Sequence, residues 1–113
     1  MMKARQQTSF LFDLDGTLVD SVYDHVLAWH DALQEEGIDI SVWRLHRKIG
    51  MSGGLFTKAL ARETGREFSP ELLDRLRQLH IKYYGQRSPR TRALPGAREL
   101  LAYLSANDIP WAI

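Results

Sequence analysis

The sequence predicts an α/β protein built on a doubly wound, parallel-sheet core that is incomplete within this chain. Three observations carry that expectation. A short apolar, β-prone run, Phe10-Leu11-Phe12, leads directly into Asp13-Leu14-Asp15-Gly16-Thr17-Leu18-Val19. Four helical patterns then follow one another as far as Gly85, with no strand between them. Strand character returns only at Ile109-Pro110-Trp111-Ala112-Ile113. Strand, helical insertion, linker, helix, strand is the order expected when helices are inserted between the first two elements of a doubly wound core. A parallel sheet needs several strands covered on both faces, and two are offered here.

Each element has its own justification. A strand over 10–12 delivers Asp13 to its carboxyl end, and Gly16 lets the chain turn sharply. Asp20 and Ser21 are N-cap candidates for a helix whose Val22, Val26, Trp29 and Leu33 share one face. Gly37 is the expected stop. Ser41 caps a second, short helix with Val42, Leu45 and Ile49, closed by Gly50. After a Met51-Ser52-Gly53-Gly54 loop, a third helix runs through Leu55, Ala59 and Leu60 to Gly65. Ser69-Pro70 opens a fourth, with Pro70 at the first helical position; Leu72, Leu73, Leu76 and Leu79 form its apolar face and Gly85 its end. Residues 86–92 are polar and contain Pro89, as a linker would. Pro95-Gly96 is a turn, and a fifth helix over 97–105 turns Leu100, Leu101 and Leu104 inward.

Composition excludes several function classes. At 113 residues the chain is one domain's worth, able to bury roughly two thirds of its unfolded surface. A formal net charge of +1 gives no strong field for nucleic acid or an anionic membrane, so neither is expected as a partner. Arg87, Arg90 and Arg92 cluster without interleaved aromatic residues and read as a solvated linker. Zero cysteines exclude disulfides and thiolate metal sites and suit a reducing cytoplasm, the expected location. The polar, basic stretch from Met1 to Gln7 precedes too few apolar residues for a signal-peptide core, and no 18-residue apolar run occurs.

The chemistry concentrates in Asp13 and Asp15. Two carboxylates separated by one residue at the mouth of an α/β sheet can divide two tasks, one attacking and the other shuttling a proton. Such a pair needs a counter-charge, for which Mg²⁺ on oxygen ligands is suited. An edge strand followed by an ordinary Asp-Gly turn is the alternative for Asp-x-Asp alone.

Phe12-Asp13-Leu14-Asp15-Gly16-Thr17-Leu18-Val19-Asp20-Ser21 resembles the first motif of the haloacid dehalogenase superfamily, in the branch of phosphoglycolate phosphatase-like enzymes and β-phosphoglucomutase. The resemblance implies a helical cap inserted after the motif. The chain then divides into a first core strand and nucleophile loop at 1–19, a cap at 20–88 and a return to the core at 89–113. By position it makes Asp13 the nucleophile that forms an aspartyl-phosphate and Asp15 the general acid/base. The Asp13 carboxylate and the Asp15 backbone carbonyl would hold Mg²⁺. An acid at Asp15 favours phosphoryl transfer over dehalogenation. In the family a Ser or Thr ending the second strand, a later Lys and further acidic residues complete the site, and none can be assigned here. The resemblance spans the whole chain but the front half of a family member, so the expectation is an N-terminal part, inactive alone and completed by a C-terminal part.

The remaining candidates are weighed against plainer roles. Gly16 and Thr17 could hold phosphate, or Thr17 could simply satisfy the turn. Gly50, Met51, Ser52, Gly53 and Gly54 allow close backbone approach to a ligand, or form an interhelical turn; capped family members read substrate there. In β-phosphoglucomutase an Arg stands at the Gly53 position, and its absence favours a small phosphomonoester. His25 matches a His near the hinge of that relative, although a packing role is the plainer one. His30, His46 and His80 show no metal-ligand spacing. Arg47 and Lys48 suit a solvated helix face better than substrate contacts. The leading expectation is a Mg²⁺-dependent phosphatase of a small phosphorylated metabolite. A phosphosugar mutase is the enzymatic alternative, and a non-catalytic binding or self-associating module the alternative of another class.

Overall fold

In the computed structural model, residues 7–113 are described, so most of the polar start from Met1 lies outside them. The chain divides into two compact units, one made of Met1–Asp20 with Arg92–Ile113 and the other of Ser21–Thr91.

The first unit is α/β. Strand β1 (Phe10–Leu11) pairs in parallel with β2 (Trp111–Ala112), Phe10 opposite Trp111 and Leu11 opposite Ala112. The Phe10 N–H donates to the Pro110 carbonyl (3.0 Å) and the Phe12 N–H to that of Ala112 (2.9 Å). Parallel strands cannot be joined by a tight hairpin. The element that precedes β2 is helix α5 (Ala97–Ala106), entered through Gly96 at φ +84°.

Two expectations need correction in this unit. Both strands are only two residues long and exposed, shorter than the runs over 10–12 and 109–113 that carry strand character. On α5 the buried positions are Ala97 and Leu104, two turns apart, whereas Leu101 is half-buried and Leu100 exposed. Two short strands are too narrow a platform to cover the flank that carries Leu100.

The second unit is all-helical: α1 (Val22–Glu35), α2 (Val42–His46), α3 (Gly53–Thr64), α4 (Pro70–Arg87) and a 3₁₀ turn at Ser88–Arg90. Its core is Val26, Ala32, Leu33, Ile38, Ile40, Leu45, Phe56, Leu60 and Leu76, with Trp29, Leu72, Leu79 and Tyr83 packed against it. Fully burying one such aliphatic side chain contributes about 1.5–3 kcal/mol, so this cluster dominates the unit's stability. Caps follow the sequence at two helices. Ser41 Oγ accepts from the Arg44 N–H (3.3 Å), and Ser69 Oγ from the Leu72 N–H (3.1 Å), with Pro70 beginning α4. Ser21 holds the N-cap position of α1 without a side-chain cap bond.

Three boundaries depart from expectation. Helix α2 ends at His46, and turns carry the chain to Gly50 at φ +99°. Gly53 and Gly54 form the first turn of α3 rather than a loop. Gly85 does not stop α4, which runs on to Arg87. An interior glycine costs a helix about 1 kcal/mol. Its neighbours hold the last turn: Tyr84 stacks on the His25 ring at 4.1 Å, and Arg87 pairs with Asp31 at 2.7 Å. Among the described residues, no helix is long and apolar enough to cross a membrane.

Candidate functional site

Strand β1 ends at Leu11, and Asp13 stands two residues beyond it, with an exposed side chain. The next residues fold back sharply. The Leu14 carbonyl accepts from the N–H groups of Thr17 (3.1 Å), Leu18 (2.9 Å) and Val19 (3.2 Å). The Gly16 N–H donates to the Val19 carbonyl at 2.8 Å, and Gly16 sits at φ +73°, a conformation that a Cβ disfavours. Thr17 Oγ1 donates to Asp13 Oδ2 across the turn at 3.4 Å, a long and weak bond that leaves the carboxylate accessible. Asp15 is half-buried.

The loop is braced by a segment that the sequence reading treated as linker and turn. The Asp20 N–H donates to the Arg92 carbonyl (2.8 Å), and the Leu94 N–H to that of Leu18 (2.9 Å). Val19 and Ala93 form an antiparallel bridge between these two bonds. Leu18 is buried and pins the turn from beneath. The loop is therefore fixed at both ends while the Asp13 carboxylate stays accessible, which suits a group that must meet a substrate in one geometry.

A divalent cation can be tested against this donor set. Among the described residues, no group of three or more His, Cys, Asp or Glu side chains gathers around a common point. Asp13 and Asp15 supply hard oxygen donors without sulfur or imidazole, the chemistry of Mg²⁺, which is commonly held by one or two carboxylates plus water and substrate phosphate. The residues fit as part of such a shell.

His25 and residues 50–54 belong to the helical unit. His25 Nδ1 lies 3.2 Å from His80 Nε2 on α4, and its ring stacks on Tyr84. His80 in turn stacks on Trp29 at 4.3 Å. Partial burial, with His25 close by, lowers the His80 imidazole from its ordinary 6.5 to about 4. Sequence reasoning gave His80 no role. Its signal was helical register: four residues after Leu76, it continues the buried face of α4. Gly50 closes its turn by conformation, Met51 is exposed, and Ser52 begins α3 without a side-chain cap bond. A Cβ added at Gly53 or Gly54 would meet open space, so neither glycine is required there by a close approach within the protein.

Comparison with known proteins gives this geometry a context. Over 97% of its length the chain is 30% identical to the phosphoglycolate phosphatase of Yersinia pseudotuberculosis, covering 48% of that protein. Over 92% of its length it is 33% identical to hexitol phosphatase A of Escherichia coli, covering 46% of that protein. The chain thus spans about half the length of these curated relatives. Among solved structures, a hydrolase from Pseudomonas syringae superposes with a TM-score of 0.88 at 52% identity, over 93% of this chain and 48% of that one. Residues 8–113 match the family described as haloacid dehalogenase-like hydrolase. With the strand, the Asp13–Val19 turn and the helical insertion all in place, the chain belongs to the haloacid dehalogenase-like hydrolases.

Proposed function

We propose that this chain carries the nucleophile of a Mg²⁺-dependent phosphomonoester hydrolase acting on a small phosphorylated metabolite. The observation that supports it most is the accessible Asp13 carboxylate at the end of β1, on a turn locked at both ends by backbone hydrogen bonds. Phosphoryl transfer asks for positioning and charge neutralisation more than for elaborate covalent chemistry.

Asp13 Oδ attacks phosphorus as the bond to the leaving oxygen breaks, and Asp15 donates a proton to that oxygen. Asp15 then takes a proton from water, which attacks the aspartyl-phosphate, releases inorganic phosphate and restores the Asp13 carboxylate. One residue serving first as acid and then as base is consistent with microscopic reversibility. Mg²⁺ would be held by the Asp13 carboxylate and the Asp15 backbone carbonyl, and would supply charge neutralisation between two anions that otherwise repel. Gly16 and Thr17 steady the phosphate. The helical unit serves as the specificity cap, with His25 and residues 50–54 as its candidate substrate residues.

The test is phosphate release by the full protein from a panel of small phosphomonoesters. Wild type turns over with Mg²⁺ and stops in EDTA, while Asp13→Asn falls by about 10³-fold or more and forms no acid-trappable acyl-phosphate. Undiminished turnover by Asp13→Asn would refute the reading.

A further inference from the structure

The helical unit carries a second concentration of charge, which the proposed hydrolytic chemistry does not use. Arg44, Arg47 and Lys48 are spaced three and four residues apart along α2 and the turn after it, so they share one side. Facing them, near the end of α3, are Arg62 and Glu63. These five residues, with Trp43, Ala59 and Met51 (the last also among the candidate substrate residues of the proposed reaction), line an open groove of about 730 Å³, within the size range of small-molecule sites. Four cations against one carboxylate give the groove a net of three positive charges, in a chain whose overall charge is +1.

The charges are not equivalent. Glu63 is bonded to Lys48 and lies 3.5 Å from Arg44, so the single carboxylate is already shared by two cations. The Lys48 side chain is only 12% exposed and also donates to the Arg44 carbonyl at 3.2 Å, which makes this ion pair the floor of the groove. Arg47 and Arg62 are exposed and line the same groove; among the described residues neither forms an ion-pair contact with a carboxylate, although the charge of Arg47 also acts on Glu63. The Arg47 guanidinium lies 5.9 Å from the centre of the exposed Trp43 ring, a cation–π contact that restrains it without neutralising it. Two exposed guanidiniums beside a neutralised Lys48–Glu63 pair, in a groove that keeps a net positive charge, match an anion with two or more phosphate groups, because each guanidinium can hold phosphate oxygens in a bidentate fork.

We propose that this groove, within the helical unit, binds an oligophosphate anion through Arg47 and Arg62. The chemistry is shared by inorganic tripolyphosphate and by a nucleoside triphosphate, whose base could add stacking on Trp43. The test is calorimetric titration of the full protein in EDTA at about 0.15 M salt, which sets hydrolysis aside. Tripolyphosphate is expected to bind with a Kd on the order of 0.1 mM. The double substitution Arg47→Ser/Arg62→Ser is expected to weaken it at least about tenfold. Both positions are exposed, and unchanged circular dichroism and melting temperature will show that the variant folds. Asp13→Asn and Arg98→Ser, both in the α/β unit, are expected to bind as wild type. Tighter binding of ATP than of tripolyphosphate, lost in Trp43→Leu, would assign the nucleotide; equal binding would assign the phosphate chain alone. The proposal is overturned if tripolyphosphate does not bind below about 5 mM. It is equally overturned if the double variant binds as wild type, if Arg98→Ser weakens binding as much, or if sulfate at equal ionic strength competes as well as tripolyphosphate. Loss of binding in Asp13→Asn would place the ligand at the hydrolytic loop and also overturn it. Loss of phosphatase activity in that variant, with oligophosphate binding intact, leaves the two sites distinguished.

Discussion

At the scale of single residues, the Asp13–Val19 loop separates two kinds of requirement. In the proposed reaction Asp13 and Asp15 carry the chemistry, while Gly16, at φ +73°, serves backbone shape. Under that proposal, replacing Asp15 by Asn keeps the attacking carboxylate but removes the proton shuttle. Turnover of the full protein should fall by about 10²–10⁴-fold. Because the second half-reaction lacks its base, acid-quenched samples should retain labelled acyl-phosphate; if none accumulates and turnover is normal, Asp15 is not the acid/base. Gly16→Ala tests the other requirement. At φ +73° a Cβ is strained, so the variant should lose about 1–2 kcal/mol in urea unfolding. Its activity should drop further than stability alone explains, since the strain falls on the turn that fixes Asp13. Thr17→Val should matter less, because the bond it removes is long, at 3.4 Å.

At the scale of elements, α1 and α4 are joined by an aromatic and polar seam rather than by aliphatic packing alone. Trp29, His80, His25 and Tyr84 lie in successive stacked contacts across the two helices. Further pairs tie the same unit together: Arg87 to Asp31 on α1 (2.7 Å) and Thr91 to Asp24 (2.9 Å). Two imidazole nitrogens 3.2 Å apart can share one proton in a hydrogen bond but cannot both carry an extra one without repulsion. The sign follows from His80, whose folded value of about 4 lies below the ordinary 6.5. The unfolded chain takes up a proton first as pH falls, so this contribution to stability is complete above about pH 6.5 and is lost progressively towards pH 4. Partial solvation of the ring limits the effect to roughly 1–2 kcal/mol. Urea midpoints measured between pH 7.5 and 4.5 should fall more steeply for wild type than for His80→Phe, which keeps a ring on Trp29 without a proton site. Equal slopes would remove the seam as a pH-sensitive element. The same seam shows what was legible in the sequence. Local signals placed Asp13 and Asp15 on a turn just after β1 and found the caps at Ser41 and Ser69 and the four helices, because each depends on residues within a turn or two. The His25–His80 pair spans 55 positions, and the bracing of Leu18 and Asp20 by residues 92–94 spans more than 70, so neither leaves a local pattern. Gly85 misled for a related reason: its local preference is outweighed by contacts that Tyr84 and Arg87 make with a distant helix.

At the scale of the whole molecule, exposed apolar surface is unevenly placed. In the α/β unit, Leu11 is 86% and Ile113 65% exposed, and Phe10, Trp111, Leu100 and Tyr103 are exposed with them. A parallel sheet is ordinarily covered on both faces, whereas the unit that holds these two strands contributes one helix, α5, among its described residues. A formal charge of +1 supplies little repulsion to keep copies apart, and contiguous apolar surface of this kind drives association. The 113-residue polypeptide should therefore bind a hydrophobic dye such as ANS and sediment as larger species as its concentration rises from about 10 μM to about 1 mM. Leu11→Lys should suppress both effects while leaving helical circular dichroism unchanged, because the side chain it replaces is, at 86%, highly exposed and does not belong to the buried core cluster. An equivalent change at Ile81, which is 68% exposed on α4 in the helical unit, should leave association as it was. That contrast isolates the sheet as the cause: a polypeptide that stays monomeric without dye binding, or one that Ile81→Lys disperses as well as Leu11→Lys, would show that the exposed strands do not govern how the molecule associates.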